Sequence, residues 1–162
     1  MLSKGVLEGE AEESLMSDAA NTEFTPEDVL SQAQTIATSW VLTTIAYLKE
    51  RGLAVEEYVA YHGRRFAPGW EELRSQPVAE VAQLVALNAV SVGCTLRSLS
   101  GDDTRAEVHI VGWPDQELAS FLQLTRSDSD HIWNTYEPIM EYVGLHYTWQ
   151  RQDDVVRITL ER

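Results

Sequence analysis

The chain has 162 residues, a length that suits one globular domain with its own hydrophobic core. Its 26 acidic and 12 basic side chains give a formal charge of -14. A surface this negative repels phosphate groups, which argues against binding to nucleic acid or to an anionic membrane. The single cysteine cannot form an internal disulfide. The first residues contain no apolar run of the kind that a signal peptide has. We therefore expect a cytoplasmic protein.

Residues 1–23 are predicted to form a disordered acidic tail. They contain six acidic residues and one basic residue. Few apolar side chains are present there to offset the entropy cost of ordering the segment. Residues 24–162 are predicted to form a single α+β domain.

The first predicted helix is the longest. Thr25 suits an N-cap, Pro26 suits the first helical position, Asp28 completes a capping box, and Gly52 ends the helix. Between Ile36 and Leu48 apolar residues occur almost all round the helix. This pattern predicts either a central helix or a helix at a subunit interface.

Further helices are predicted over residues 55–66, 77–92, 114–124 and 127–143, the last with a kink at Pro138. Between residues 92 and 114, and again after residue 143, the apolar period changes to two, which is typical of strands. These runs predict two β-hairpins. The fold is therefore predicted to be α+β, with an antiparallel sheet of about four strands from two hairpins, packed against helices.

The two hairpins resemble each other in sequence. The pairs Val92-Gly93 and Asp102-Asp103 recur as Val143-Gly144 and Asp153-Asp154 at a constant spacing. The apolar phase of the second strand, however, slips by one position between the two. Both an internal duplication and a chance match therefore stay open.

One segment combines aromatic rings with cations in an otherwise acidic chain. Arginine grips carboxylates and aromatic rings stack on flat molecules, so this segment predicts binding of a small acidic or aromatic ligand. The alternative is that the arginines pair with Glu71 or Glu72 and the rings fill the core. The residues predicted to bind the ligand, with one tryptophan from a later turn, are Tyr58, Tyr61, His62, Arg64, Arg65, Trp70 and Trp113.

Other chemistry is not indicated. The four histidines lack the spacing of a zinc site, so we predict no metal, and no motif predicts a cofactor. Cys94 follows the end of a helix, where the partial negative charge disfavours a thiolate. A small buried residue is the favoured interpretation of Cys94.

The segment Gly112–Glu117 reads Gly-Trp-Pro-Asp-Gln-Glu and follows a predicted hairpin. It resembles the Cys-Pro-x-Gln motif of bacterial proteins described as L-2-amino-thiazoline-4-carboxylate hydrolase-like. The order of elements is similar over roughly residues 26–162. Pro114 and Gln116 match the motif, whereas Trp113 stands where that family has cysteine. The resemblance implies a bacterial hydrolase-like protein, and it transfers no catalytic residue to this chain.

Three functions are consistent with these features. The leading one is a small-molecule-binding or sensory domain with an aromatic pocket. The second is a hydrolase of a small carboxylate-bearing substrate, with Arg64 or Arg65 as anchor and His62 as general base. The third is an interaction module that forms a homodimer through its apolar first helix. Whether the chain is an enzyme stays open at this point.

Overall fold

A computed structural model describes residues 24–162 of the chain. The predicted acidic tail, residues 1–23, lies outside the described residues. The chain divides into two units, Met1–Leu30 and Ser31–Arg162. In the described part of the first unit, the Asp28 amide donates to Thr25 Oγ1 at 3.1 Å and the Thr25 amide donates to Asp28 Oδ2 at 2.9 Å. The predicted capping box is therefore confirmed.

The helices lie close to their predicted positions in the first part of the chain. The α-helices are α1 Pro26–Glu50, α2 Val55–Phe66, α3 Val78–Ser91, α4 Gln116–Phe121, α5 Arg126–Asp130 and α6 Tyr136–Val143. A first 3₁₀ helix, Ala67–Ser75, follows α2, and a second, His131–Thr135, precedes α6.

Four antiparallel strands form one sheet in the order β1-β2-β4-β3. The strands are β1 Thr95–Gly101, β2 Arg105–Val111, β3 His146–Gln152 and β4 Val155–Glu161. The predicted α+β fold with a four-stranded antiparallel sheet is confirmed. Each hairpin pairs locally, and the two hairpins meet where β2 lies beside β4.

The sheet is covered by helices on one face. Strand residues alternate between the two faces, so β2 and β4 each turn every second side chain inward. Helix α3 packs on β1 and β2, and α6 packs on β3. The inward side chains of the two central strands are all fully buried, and they are Ala106, Val108, Ile110, Val156, Ile158 and Leu160.

The loops of the two hairpins explain the phase slip seen in the sequence. Three residues, 102–104, connect β1 to β2, whereas two residues, 153–154, connect β3 to β4. The extra loop residue absorbs the slip, and Val108 pairs with Ile158 on the buried face. The two helix–glycine–hairpin segments therefore have matching layouts on either side of the β2–β4 pair.

The region 125–143 differs from its prediction as one kinked helix. A proline lacks an amide hydrogen and clashes with the carbonyl four residues earlier, so an α-helix cannot continue through Pro138 from residue 134. The chain instead changes to a 3₁₀ helix and restarts as α6, with Pro138 in the first turn. The capping box at the start of this region is formed by Thr125 and Asp128.

The Ser31–Glu50 part of α1 is held to other elements of the second unit by polar contacts. Thr38 Oγ1 donates to the Val92 carbonyl at 2.7 Å, and Lys49 Nζ donates to Asp128 Oδ2 at 2.6 Å. Leu42 and Ile45 are buried between these contacts. Within residues 24–162, no helix has the length and apolar character needed to cross a membrane.

Candidate functional site

Two adjoining cavities lie between α1, α2, α3 and the second 3₁₀ helix. Their volumes are about 300 and 360 Å³. Val41, His62, Ile132 and Thr135 line both cavities, and we call the joined space the helical pocket. Its walls are mainly apolar side chains with a few polar groups, which is the usual make-up of a small-molecule site.

A close backbone approach sets the position of the α2 wall. Gly63 is buried, and a Cβ placed on it would lie 2.2 Å from the Thr135 carbonyl oxygen and 2.6 Å from Pro138 Cγ. Only glycine therefore allows α2 to approach the second 3₁₀ helix this closely. The approach places His62, the preceding residue, opposite Thr135 at the junction of the two cavities.

His62 supplies a neutral polar group at the edge of the pocket. It remains exposed on one side, while its ring lies 4.4 Å from the Phe66 ring, centroid to centroid. Partial desolvation lowers the pKa of His62 below its ordinary value. The imidazole is consequently uncharged at neutral pH and can both donate and accept a hydrogen bond.

Aromatic side chains form the wall of the larger cavity. Trp70 and Tyr136 are buried and meet edge to face, with ring centroids 6.1 Å apart. Burial, the main cause, raises the pKa of Tyr136 to about 12. The phenol is thus protonated at all physiological pH values, so this wall presents neutral polar groups.

Trp133 continues the same wall and connects it to the sheet. Its side chain is 1% exposed, and its carbonyl accepts a hydrogen bond of 2.7 Å from the Tyr147 hydroxyl on β3. Among the described residues its indole Nε1 has no hydrogen-bond partner.

The predicted ligand-binding residues separate into two groups. Tyr58, His62 and Trp70 line the helical pocket. Tyr61 is exposed and is not among the lining residues. Arg64 and Arg65 are also exposed and line neither cavity, so the expected inward-pointing arginine is not present.

The phase of α2 explains why both arginines face solvent. The buried side of this helix is formed by Val55, Val59 and Gly63, which are spaced by four residues and therefore lie on one face. Arg64 and Arg65 lie about 100° and 200° round the helix from Gly63. The presence of a glycine on the apolar face was the sequence feature that could have indicated this orientation.

Trp113 lies outside the helical pocket and has a structural role. It is 3% exposed, and its Nε1 donates to the Ser129 carbonyl at 3.0 Å. Its own carbonyl accepts a hydrogen bond of 2.9 Å from Arg151 Nη2, and Arg151 Nε donates to Asp130 Oδ2 at 2.6 Å. This cluster joins α5 to β3 through the Arg151–Asp130 ion pair.

Cys94 is buried at the start of β1, as its position after a helix predicts. Its side chain is 4% exposed, and burial, opposed in part by the charge of Arg151, raises its pKa to about 12. A thiol with this pKa remains protonated and is a poor nucleophile. Cys94 is therefore a packing residue.

The pocket residues that the sequence did not indicate come from distant parts of the chain. Val41 lies on α1, Asn88 on α3, and Ile132 and Thr135 on the second 3₁₀ helix.

Among residues 24–162, no three His, Cys, Asp or Glu side chains are grouped so that they could hold a metal ion. No protein-family model matches the chain, and no curated protein matches it significantly.

Proposed function

We propose that this domain binds a small, neutral, mainly aromatic molecule in the helical pocket. One observation carries the proposal: two adjoining cavities of about 300 and 360 Å³ share a lining that is largely apolar. Sites for small molecules typically enclose about 300–1,000 Å³ and contain few polar groups. The size and lining of the pocket are of this kind.

The charges around the pocket favour a neutral ligand over the acidic one predicted from sequence. A buried carboxylate needs a cation or several hydrogen-bond donors. The polar groups that line the pocket are His62, whose pKa is lowered, together with Thr44, Asn88, Ser91 and Thr135. Because no arginine or lysine among residues 24–162 lines either cavity, an anion has no counter-charge from that part of the chain. An aromatic molecule with one or two hydrogen-bonding groups suits this lining.

The proposal is tested by filling the pocket. Val41 lines both cavities and is half-buried, so a Val41→Trp variant places a large ring inside the space. Val155 is a half-buried valine on the uncovered face of the sheet, and Val155→Trp is the matched control. Thermal unfolding of all three proteins is measured with a panel of neutral aromatic compounds of metabolite size.

A ligand that binds only the native state stabilises it by about 2.7 kcal/mol when present at 100 times its Kd. We expect at least one compound to raise the Tm of the wild type and of Val155→Trp, but not of Val41→Trp. Failure of every compound to stabilise the wild type, or equal stabilisation of both variants, contradicts the proposal.

A further inference from the structure

One face of α1 carries an exposed apolar stripe. We define the α1 stripe as Ala33, Ile36, Trp40, Thr43 and Tyr47, all of which are exposed. Its three large side chains are strongly exposed, with Trp40 at 72%, Tyr47 at 56% and Ile36 at 48%. The buried side chains Thr38, Leu42 and Ile45 lie on the opposite side of the helix. Other elements of the second unit therefore cover one side of residues 31–50 of α1, and the apolar stripe lies on the other side.

The spacing within the stripe identifies a helix as the surface that covers it. Its members follow one another at alternating intervals of three and four residues, which is the a and d spacing of a heptad repeat. This spacing keeps a seam facing a second helix, because side chains of one helix insert between those of the other. From Ala33 to Tyr47 the seam extends for about 21 Å.

The charge distribution favours a second copy of the chain as the source of that helix. The chain carries a formal charge of -14, so two copies repel one another over most of their surfaces. Between Asp28 and Lys49, however, α1 contains no charged residue. Two copies that meet at this helix bring no like charges of the seam together, and each stripe finds an identical apolar seam.

The exposed aromatic residues of α2 extend this surface. Trp40 and Tyr58 line the same cavity, so they lie near one another at its mouth. Tyr58 is 41% exposed and Tyr61 is 56% exposed. A stable interface buries about 800 Å² on each partner, and its centre is enriched in Tyr and Trp. Tyr58 therefore adjoins the stripe at Trp40, and Tyr61 lies about one helical turn further along α2.

We propose that two copies of this chain form a homodimer by pairing their α1 stripes, with Ile36, Trp40 and Tyr47 at the centre of the interface. The pairing uses the surface of α1 that faces away from Leu42 and Ile45. Trp40 also lines one cavity of the helical pocket, so the interface adjoins the mouth of that pocket.

The first test compares oligomeric states by sedimentation equilibrium of the full chain without ligand. The double variant Ile36→Glu/Tyr47→Glu places charges on the stripe. Leu87→Glu is the matched control, since Leu87 is a 59% exposed aliphatic residue on α3. We expect the wild type and the control to be dimers and the double variant to be a folded monomer, with its dimer Kd raised at least a hundredfold. A monomeric wild type at several hundred micromolar, or a dimeric double variant, overturns the proposal.

The second test asks whether one stripe faces another. The variant Ile36→Lys/Tyr47→Lys is made and mixed with the Glu variant. In either a parallel or an antiparallel pair, the two altered stripes then bring opposite charges together. We expect each variant alone to be monomeric and the mixture to contain heterodimer. A mixture that stays monomeric overturns the pairing of identical stripes.

Discussion

Replacing Gly63 with alanine tests the contact that positions the pocket wall. The added methyl group would lie 2.2 Å from the Thr135 carbonyl oxygen, whereas ordinary contacts between heavy atoms are about 3.5–4.0 Å. Helix α2 and the second 3₁₀ helix would therefore have to move apart by roughly 1.3 Å or more. The group in the way is a backbone carbonyl, which cannot rotate aside as a flexible side chain can.

The size of the effect follows from two opposing contributions. Overpacking of a tight contact costs about 1–3 kcal/mol. Alanine in place of glycine inside a helix stabilises the helix by up to about 1 kcal/mol. Because the backbone resists displacement, we expect Gly63→Ala to lower the free energy of unfolding by about 2 kcal/mol, which for a domain of this size lowers Tm by about 6–8 °C.

The assay is thermal and urea unfolding followed by circular dichroism, with Gly69→Ala as the matched control. Gly69 lies in the first 3₁₀ helix, and a Cβ there would meet no atom within 4 Å. We expect this control to be neutral or slightly stabilising, by up to about 1 kcal/mol. If Gly63→Ala were as stable as the wild type, the close approach of α2 to Thr135 would not exist and the proposed pocket wall would lie elsewhere.

Two further predictions concern titrating groups. Because burial raises the pKa of Cys94 to about 12, we expect an aromatic disulfide reagent to leave native protein unmodified at mildly alkaline pH and to label one thiol in denaturant; rapid labelling of native protein would contradict the burial. Burial alone would raise the pKa of Asp128, but hydrogen bonds from Lys49 and Thr125 outweigh it and lower this pKa from 3.8 to about 2. The carboxylate therefore stabilises the fold above its unfolded pKa, and this contribution is lost as pH falls through the folded value. Urea unfolding should show Asp128→Asn less stable than wild type by about 1–2 kcal/mol near neutral pH, with the gap closing between pH 3.8 and about 2; a pH-independent gap would refute the assignment.

The sequence predicted the sheet well because strand periodicity reflects local burial. Every second residue of β2 and β4 is buried. The acidic turns at Asp102 and Asp153 each connect two antiparallel strands. The capping residues of α1 also act within a few positions of one another. Local patterns of this kind need no knowledge of distant contacts.

The pocket was only partly predictable because its walls meet through contacts between distant segments. Val41 and Ile132 are brought together by the packing of α1 on the second 3₁₀ helix region, and no spacing in the sequence encodes that meeting. The break before Pro138 moves Thr135 into contact with Gly63, which a continuous helix would not allow. The aromatic residues could be recognised from the sequence as candidates for a binding site. Which of their side chains face the pocket depends on this tertiary arrangement.

The two outer strands of the sheet limit how this chain can associate. A further strand can add to a sheet edge only along a regular row of free backbone groups. On β1 that row is interrupted, because the register with β2 shifts between Leu96 and Ser98. On β3, Arg151 directs a charge toward the covered face, where Asp130 neutralises it. An added strand would have to accommodate an irregular edge on one side and an inward charge on the other. Growth into extended sheets or fibres is thereby disfavoured, and association is directed to the helical side of the molecule.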